Sequence, residues 1–187
     1  METPERAVFL FDGPNFYKNL KKANLSKGHL DFWAFARNLS GPRTLLDVMF
    51  FTSPTDSLHD AENYIKQQKF FAAIQQSGVI LRLGKLVHRK NKCPICKKDF
   101  SLKTEKSVDV QIAIEIVLGA AEDKWDVLYL ASCDSDLIPA IEYVRSKGKK
   151  VFLMLPDGAP CYSVGNACDS TIRITQDTLD AAQVSFN

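Results

Sequence analysis

The chain has 187 residues, 45% of them hydrophobic and 25% charged, an ordinary balance for one globular domain with a buried core. No apolar run approaches a membrane span, and Ala7–Phe11, followed at once by an acid, is far too short for a signal core. The net charge of +2 excludes any argument about partners from the whole-chain balance, while the odd count of five cysteines points to a reducing, cytoplasmic setting.

In chain order, short continuous apolar runs predict buried strands at Ala7–Phe11, Leu46–Thr52, Val79–Leu83, Val127–Ala131, Val151–Leu155 and Thr171–Ile174. Helical patterns fall between them at Asn15–Ala23, Asp31–Asn38, Ser57–Ser77, Ser107–Ala121 and Asp136–Lys147. Strands separated by helices imply right-handed crossovers, and so a three-layer α/β/α fold with a central, mostly parallel sheet. The pattern predicts a single domain over 1–187. Its one interruption, at about 84–106, is basic, cysteine-bearing and poorly periodic, and reads as a small insertion before the helix at Ser107. Between Arg82 and Lys106 nine cations face only Asp99 and Glu105, a local +7 that leaves −5 for the rest. Such asymmetry suits a nucleic-acid or other anionic surface; the plain alternative is a solvated lysine-rich loop.

Acids recur where strands end. In an open parallel sheet, ligands bind outside the carboxyl ends of the strands. Asp12 closes the first strand, and Ser132-Cys133-Asp134-Ser135-Asp136 follows the strand at Val127–Ala131. Asp134 also suits a helix cap, which needs no catalysis. In the helix from Ser107 the apolar stripe is Ile112, Ala113, Ile116, Val117 and Ala120. Counting back places Asp109 on that core-facing stripe, where a carboxylate needs a partner, a metal or a raised pKa; the alternative is an acid favoured by the helix dipole. If Asp12, Asp109, Asp134 and Asp136 converge, their repulsion calls for a hard cation, Mg²⁺ or Mn²⁺, able to activate water at a phosphodiester. Asn15 then stays at the mouth of the site as an uncharged donor or acceptor. No GxxxxGKS or GxGxxG loop and no HExxH competes, and His29, His59 and His88 are scattered.

The segments FLFDGPNFYKNL, EKSVDVQIAIEIV, LYLASCDSDLIPAIEYVRSKGKKVFLM and, more weakly, NACDSTIRIT resemble the NYN (LabA-like) branch of the PIN-like nucleases, in family order and over nearly the whole chain. The resemblance implies a three-layer α/β/α fold and metal-dependent RNA cleavage. It carries the family's acids onto Asp12, Asp109, Asp134 and Asp136, with Asn15 beside them and Asp169 as a late acid of unassigned role. One departure stands out: the family reads Ser-Gly-Asp-Ser-Asp where this chain has Cys133. That side chain either narrows access or points into the core.

The Cys93-Pro94-Ile95-Cys96 turn can offer two thiolates to a structural Zn²⁺, with His88 nearby in sequence, or it is an unmetallated turn. The resulting expectation is an endoribonuclease that hydrolyses RNA phosphodiester bonds with Mg²⁺ or Mn²⁺. Asp12, Asp109, Asp134 and Asp136 hold the metal, and Asn15 and Ser132 orient substrate or water. The basic segment, including Lys97 and Lys98, holds phosphates, and Phe16 or Tyr17 is available to stack a base. RNA is the expected partner, with no membrane; a homodimer stays open. The rivals are a non-catalytic RNA-binding or scaffold protein on the same fold, and a phosphohydrolase of small nucleotides.

Overall fold

The computed structural model describes residues 3–26, 28–56 and 60–183. Six parallel strands form the central sheet: β1 (Arg6–Asp12), β2 (Thr44–Thr52), β3 (Ile80–Leu83), β6 (Val127–Ala131), β7 (Lys150–Pro156) and β8 (Ser170–Ile174). Their order is β3-β2-β1-β6-β7-β8. The chain therefore winds outward one way from β1 and the other way from β6. The crevice between the carboxyl ends of those two strands is the topological switch point of the sheet.

Period-two alternation within doubly buried strands explains the unbroken apolar runs. In β1, Ala7, Phe9 and Phe11 face one core while Val8 and Leu10 face the other. The first core is aromatic and packs under α1 (Gly13–Lys22), α2 (Phe32–Ser40) and α3 (Ala61–Gln76). Phe11, Phe16, Phe32 and Phe50 meet there edge to face. The second is aliphatic and is covered by α4 (Val108–Ala121) and α5 (Ile138–Ser146). Two short helices, α6 (Tyr162–Ala167) and α7 (Gln176–Asp180), complete the described chain. Neither was expected, since each is too short to display a helical period. The expected start of α3 at Ser57 lies outside the described residues.

The segment after β3 is ordered differently from expectation. It forms an antiparallel ribbon of β4 (Lys85–Lys92) and β5 (Asp99–Lys106), paired from Lys85↔Lys106 at the base to Lys92↔Asp99 at the tip. Neither strand packs extensively on any element but the other. Among the side chains described in the two strands none is buried, so the hydrophobic alternation that marks a strand is weak. At the base, a side chain on Gly84 would come within 2.7 Å of the Lys106 carbonyl and of Val108, so only glycine allows the ribbon to leave the sheet there.

Candidate active site

The site is built at the switch point. Alternation along β1 puts Asp12 on the same face as Val8 and Leu10, toward α4. Asp12 is buried, and two neutral donors hold it. The Ser132 hydroxyl donates to Oδ2 at 2.8 Å, and the Asn15 backbone N–H donates to Oδ1 at 3.2 Å, which caps α1. The tight turn into α1 requires Gly13, where a Cβ would lie 2.5 Å from the Phe50 ring.

Ser132 links the two strand ends. Its oxygen also accepts the Asp134 backbone N–H at 3.2 Å. Asp134 in turn accepts the Asp136 N–H at 2.9 Å and caps the 3₁₀ turn Ser135–Leu137 that leads into α5. Asn15 Oδ1 accepts from Asn19 Nδ2 at 2.7 Å and from the Cys133 backbone N–H at 3.1 Å. Because the Cys133 group can only donate, the oxygen end of the Asn15 amide is fixed inward. The NH₂ end is the group Asn15 can offer a ligand.

Asp12, Asn15, Asp109 and Asp134 line one pocket of about 220 Å³, together with Pro14, Lys18, Lys106, Ser107 and Val108. Three of the four expected acids therefore share a cavity. Asp136 is exposed and is not among the lining residues; its backbone, not its carboxylate, supports the site. Among the described residues, no group of three or more His, Cys, Asp or Glu side chains is spaced to hold one ion.

Asp109 reaches the pocket differently from expectation. The buried stripe of α4 runs through Val108, Ile112 and Ile116, so Asp109 lies just off it, exposed in the first turn. There the helix dipole favours a carboxylate without burial. Ser107, at φ 77°, holds a left-handed conformation unusual for a residue with a side chain and turns the chain from β5 into α4. Two lysines complete the lining. Lys106 was recognised only as one cation of a basic run. Lys18 was not singled out, although it sits one helical turn after Asn15 on the same side of α1.

Several expected residues lie elsewhere. Lys97 and Lys98 are exposed at the ribbon tip, seven residue steps or about 23 Å along the strands from the base at Lys106. Phe16 is fully buried and Tyr17 packs against Phe16 and Phe50, so the aromatic core takes both. Burial drives the Tyr17 hydroxyl pKa well above its ordinary value. Asp169 sits at the amino edge of the sheet, where it accepts from Arg145 Nε at 2.9 Å and from the Val151 N–H at 2.8 Å. Burial pushes its carboxyl up, but those donors outweigh it and hold it below the usual range.

Cys133 points into the aliphatic core and not into the pocket. It is disulfide-bonded to Cys161, at the N-cap of α6, with the Cα atoms 5.6 Å apart. The bond ties the loop after β6 to the loop after β7, directly beside Ser132 and Asp134. Cys93, Cys96 and Cys168 are thiols, and burial pushes the Cys168 pKa up to about 12. A larger and more apolar cavity, of about 590 Å³, lies on the other face beside Tyr17, Leu30, Phe32, Phe70 and Ile74. No comparable set of acids and lysines converges there.

No curated protein matches the chain. Among solved structures, a protein of unknown function, VPA0982, from Vibrio parahaemolyticus superposes with a TM-score of 0.70 at 18% identity, over 95% of this chain and 98% of that one. The likeness shows a shared fold. The NYN domain family model matches residues 6–175, from the first strand through the last. That span holds every residue of the pocket, and the chain belongs to the NYN domain family of the PIN-like nuclease superfamily.

Proposed function

We propose that this chain is a divalent-metal-dependent endoribonuclease, acting as a single domain over residues 1–187. The observation that carries the reading is the convergence of Asp12, Asp109 and Asp134 with Lys18 and Lys106 in one pocket at the switch point. The donor set fits a hard cation, since every acidic ligand there is a carboxylate oxygen. Its openness also fits: Mg²⁺ keeps much of its water and is held by one or two carboxylates plus substrate phosphate, not by a closed protein cage. Asp12 and Asp134 are the residues that would hold it, with Asp109 across the pocket. When bound, such an ion supplies Lewis-acid activation of the phosphodiester and lowers the pKa of bound water.

The chain's own groups supply the rest. Lys18 and Lys106 hold the scissile phosphate against the acids and offset its charge. The Ser132 hydroxyl fixes the orientation of Asp12, and the Asn15 amide is positioned by Cys133 to donate a hydrogen bond to substrate. A carboxylate not engaged by the ion can accept the proton of the attacking water. Lysines at the rim favour a polyanion such as RNA over a small nucleotide.

The test is cleavage of single-stranded RNA by the full chain in Mg²⁺ or Mn²⁺. Asp134→Asn keeps the capping geometry and should lower the rate by about 10²-fold or more. Mn²⁺ should raise the Tm of wild type by more than that of Asp109→Asn, and equal shifts would remove Asp109 from the metal site. Salt-sensitive RNA binding without metal-dependent cleavage by wild type would instead leave a non-catalytic RNA-binding protein on this fold.

A further inference from the structure

The ribbon ends in a turn whose geometry the proposed nuclease chemistry does not use. Between β4 and β5, the Cys93 N–H donates to the Lys98 carbonyl at 2.9 Å and the Lys97 N–H donates to the Cys93 carbonyl at 2.9 Å. Pro94 opens the turn, and Lys97, at φ 59°, takes the left-handed position that closes it. The Cys93–Cys96 spacing in this turn is that of a two-thiolate metal clasp. Cys96 and Ile95 are exposed at the extreme end of the ribbon.

A tetrahedral thiolate site needs four ligands, and the turn supplies two. Among the described residues no third His, Cys, Asp or Glu joins them. The backbone of His88 lies five residues before Cys93 in β4, about 16 Å along the strand. The other three cysteines are committed elsewhere, two to the disulfide and Cys168 to the core. The ribbon also holds its tip clear of the sheet and its helices. A half-site at the end of a projecting arm is completed most simply by an identical half-site on a two-fold axis.

We propose that Cys93 and Cys96 bind Zn²⁺ jointly with the same pair from a second copy of the chain, forming a four-thiolate bridge between ribbon tips. Four thiols give up four protons as one Zn²⁺ enters, and no electron moves. The bridge answers its own electrostatic objection. Lys92, Lys97 and Lys98 of two copies would repel, but a zinc ion with four thiolates carries a net charge of −2 at the centre of that cluster. The two pockets would then stand at opposite ends of a continuous basic ribbon about 45 Å long.

The test is titration of the full chain, its disulfide intact, with Zn²⁺ while molar mass is followed by light scattering. One zinc per two chains, with the mass doubling and returning to that of the monomer on chelation, is the expected result. Co²⁺ in place of Zn²⁺ should show sulfur-to-metal charge transfer and the intense visible bands of a tetrahedral site. Cys93→Ser and Cys96→Ser, at an exposed tip on which no core residue packs, should abolish both signals without changing the Tm of the metal-free monomer. One zinc per chain with the mass unchanged would overturn the bridge. So would a zinc-dependent dimer that survives both substitutions, or no binding at all.

Discussion

The two edges of the sheet both collect acids, but one edge packs them into ion pairs and the other arranges them around a pocket. At the amino edge each carboxylate is matched to cations. Asp126 accepts from Arg6 at Nε and Nη2 and from Lys149; Asp169 pairs with Arg145; Glu5 pairs with Arg43 and Lys150. Arg6 holds the Asp126 carboxyl well below its ordinary range despite the opposing effect of burial, and Lys150 does the same for Glu5. At the carboxyl edge a hydroxyl and backbone N–H groups, all neutral donors, set the direction of Asp12 and Asp134, and Lys18 and Lys106 line the same pocket. Acids matched to cations hold strands and helix ends together. Acids oriented by neutral donors and grouped with lysines around an open pocket are placed to meet a ligand.

That contrast breaks most sharply under substitution. Asp109→Asn at the carboxyl edge should cost RNA cleavage about 10²-fold, while leaving the metal-free Tm unchanged or raised, because like charges in the pocket are reduced. Asp169→Ala at the amino edge should leave cleavage intact. It strands Arg145 and the Val151 N–H, so stability should fall by about 1–3 kcal/mol, read as a Tm lower by about 2–12 °C. Loss of activity in Asp169→Ala at a temperature where it is fully folded would erase the distinction.

The edges should also differ in what loosens them. The carboxyl edge is tied covalently by Cys133–Cys161, which closes a loop over a sequence separation of 28. Replacing both by alanine should destabilise the fold by up to about 3 kcal/mol. It should also lower cleavage, because the Cys133 N–H that positions Asn15 belongs to the tethered loop. The expected signature is a Tm drop that wild type reproduces in reductant and the double variant does not show. Equal sensitivity of both proteins to reductant would assign the effect elsewhere.

A smaller effect separates the lysines at the pocket from those at the tip. Lys106→Ala should slow cleavage and lower the salt slope of RNA binding by about one contact. Lys97→Ala with Lys98→Ala should lower that slope by up to about two while leaving the rate on short RNA unchanged, since the tip lies about 23 Å from the base. A slope unchanged in both would make the ribbon a solvated surface with no part in binding.

The smallest effect is the response to acid. Carboxyls held low in the folded state contribute stability that is fully present above their unfolded value of about 4 and is lost as pH falls through the folded value. Asp126, Asp169 and Glu5 are all of this kind. The Tm should therefore stay level from neutral pH to about 5 and then decline below about 4. Asp126→Asn should flatten the decline, and an unchanged profile in that variant would remove the amino-edge pairs from the account.

Much of this protein was legible along the chain. The six strands stand within two residues of their expected ends; for the central β1, β2, β6 and β7 this is because a strand buried on both faces writes itself as an unbroken apolar run. Asp12 and Asp134 were legible for a related reason: polar residues that interrupt such runs at the carboxyl end must face the crevice or cap the next helix. Here they do both. The ribbon was not legible, because none of the side chains described in its strands is buried and its hydrophobic alternation is weak. The amino-edge pairs were not either, since Arg6 and Asp126 are 120 residues apart and meet only because β1 and β6 are neighbours. The exclusion of Asp136 and Asp169 from the pocket, the entry of Lys18, and the turn of Cys133 toward Cys161 likewise depend on direction. A sequence states which groups are present at a strand end. Which way each side chain points is set by helix phase and strand register, and those are settled only when the layers pack.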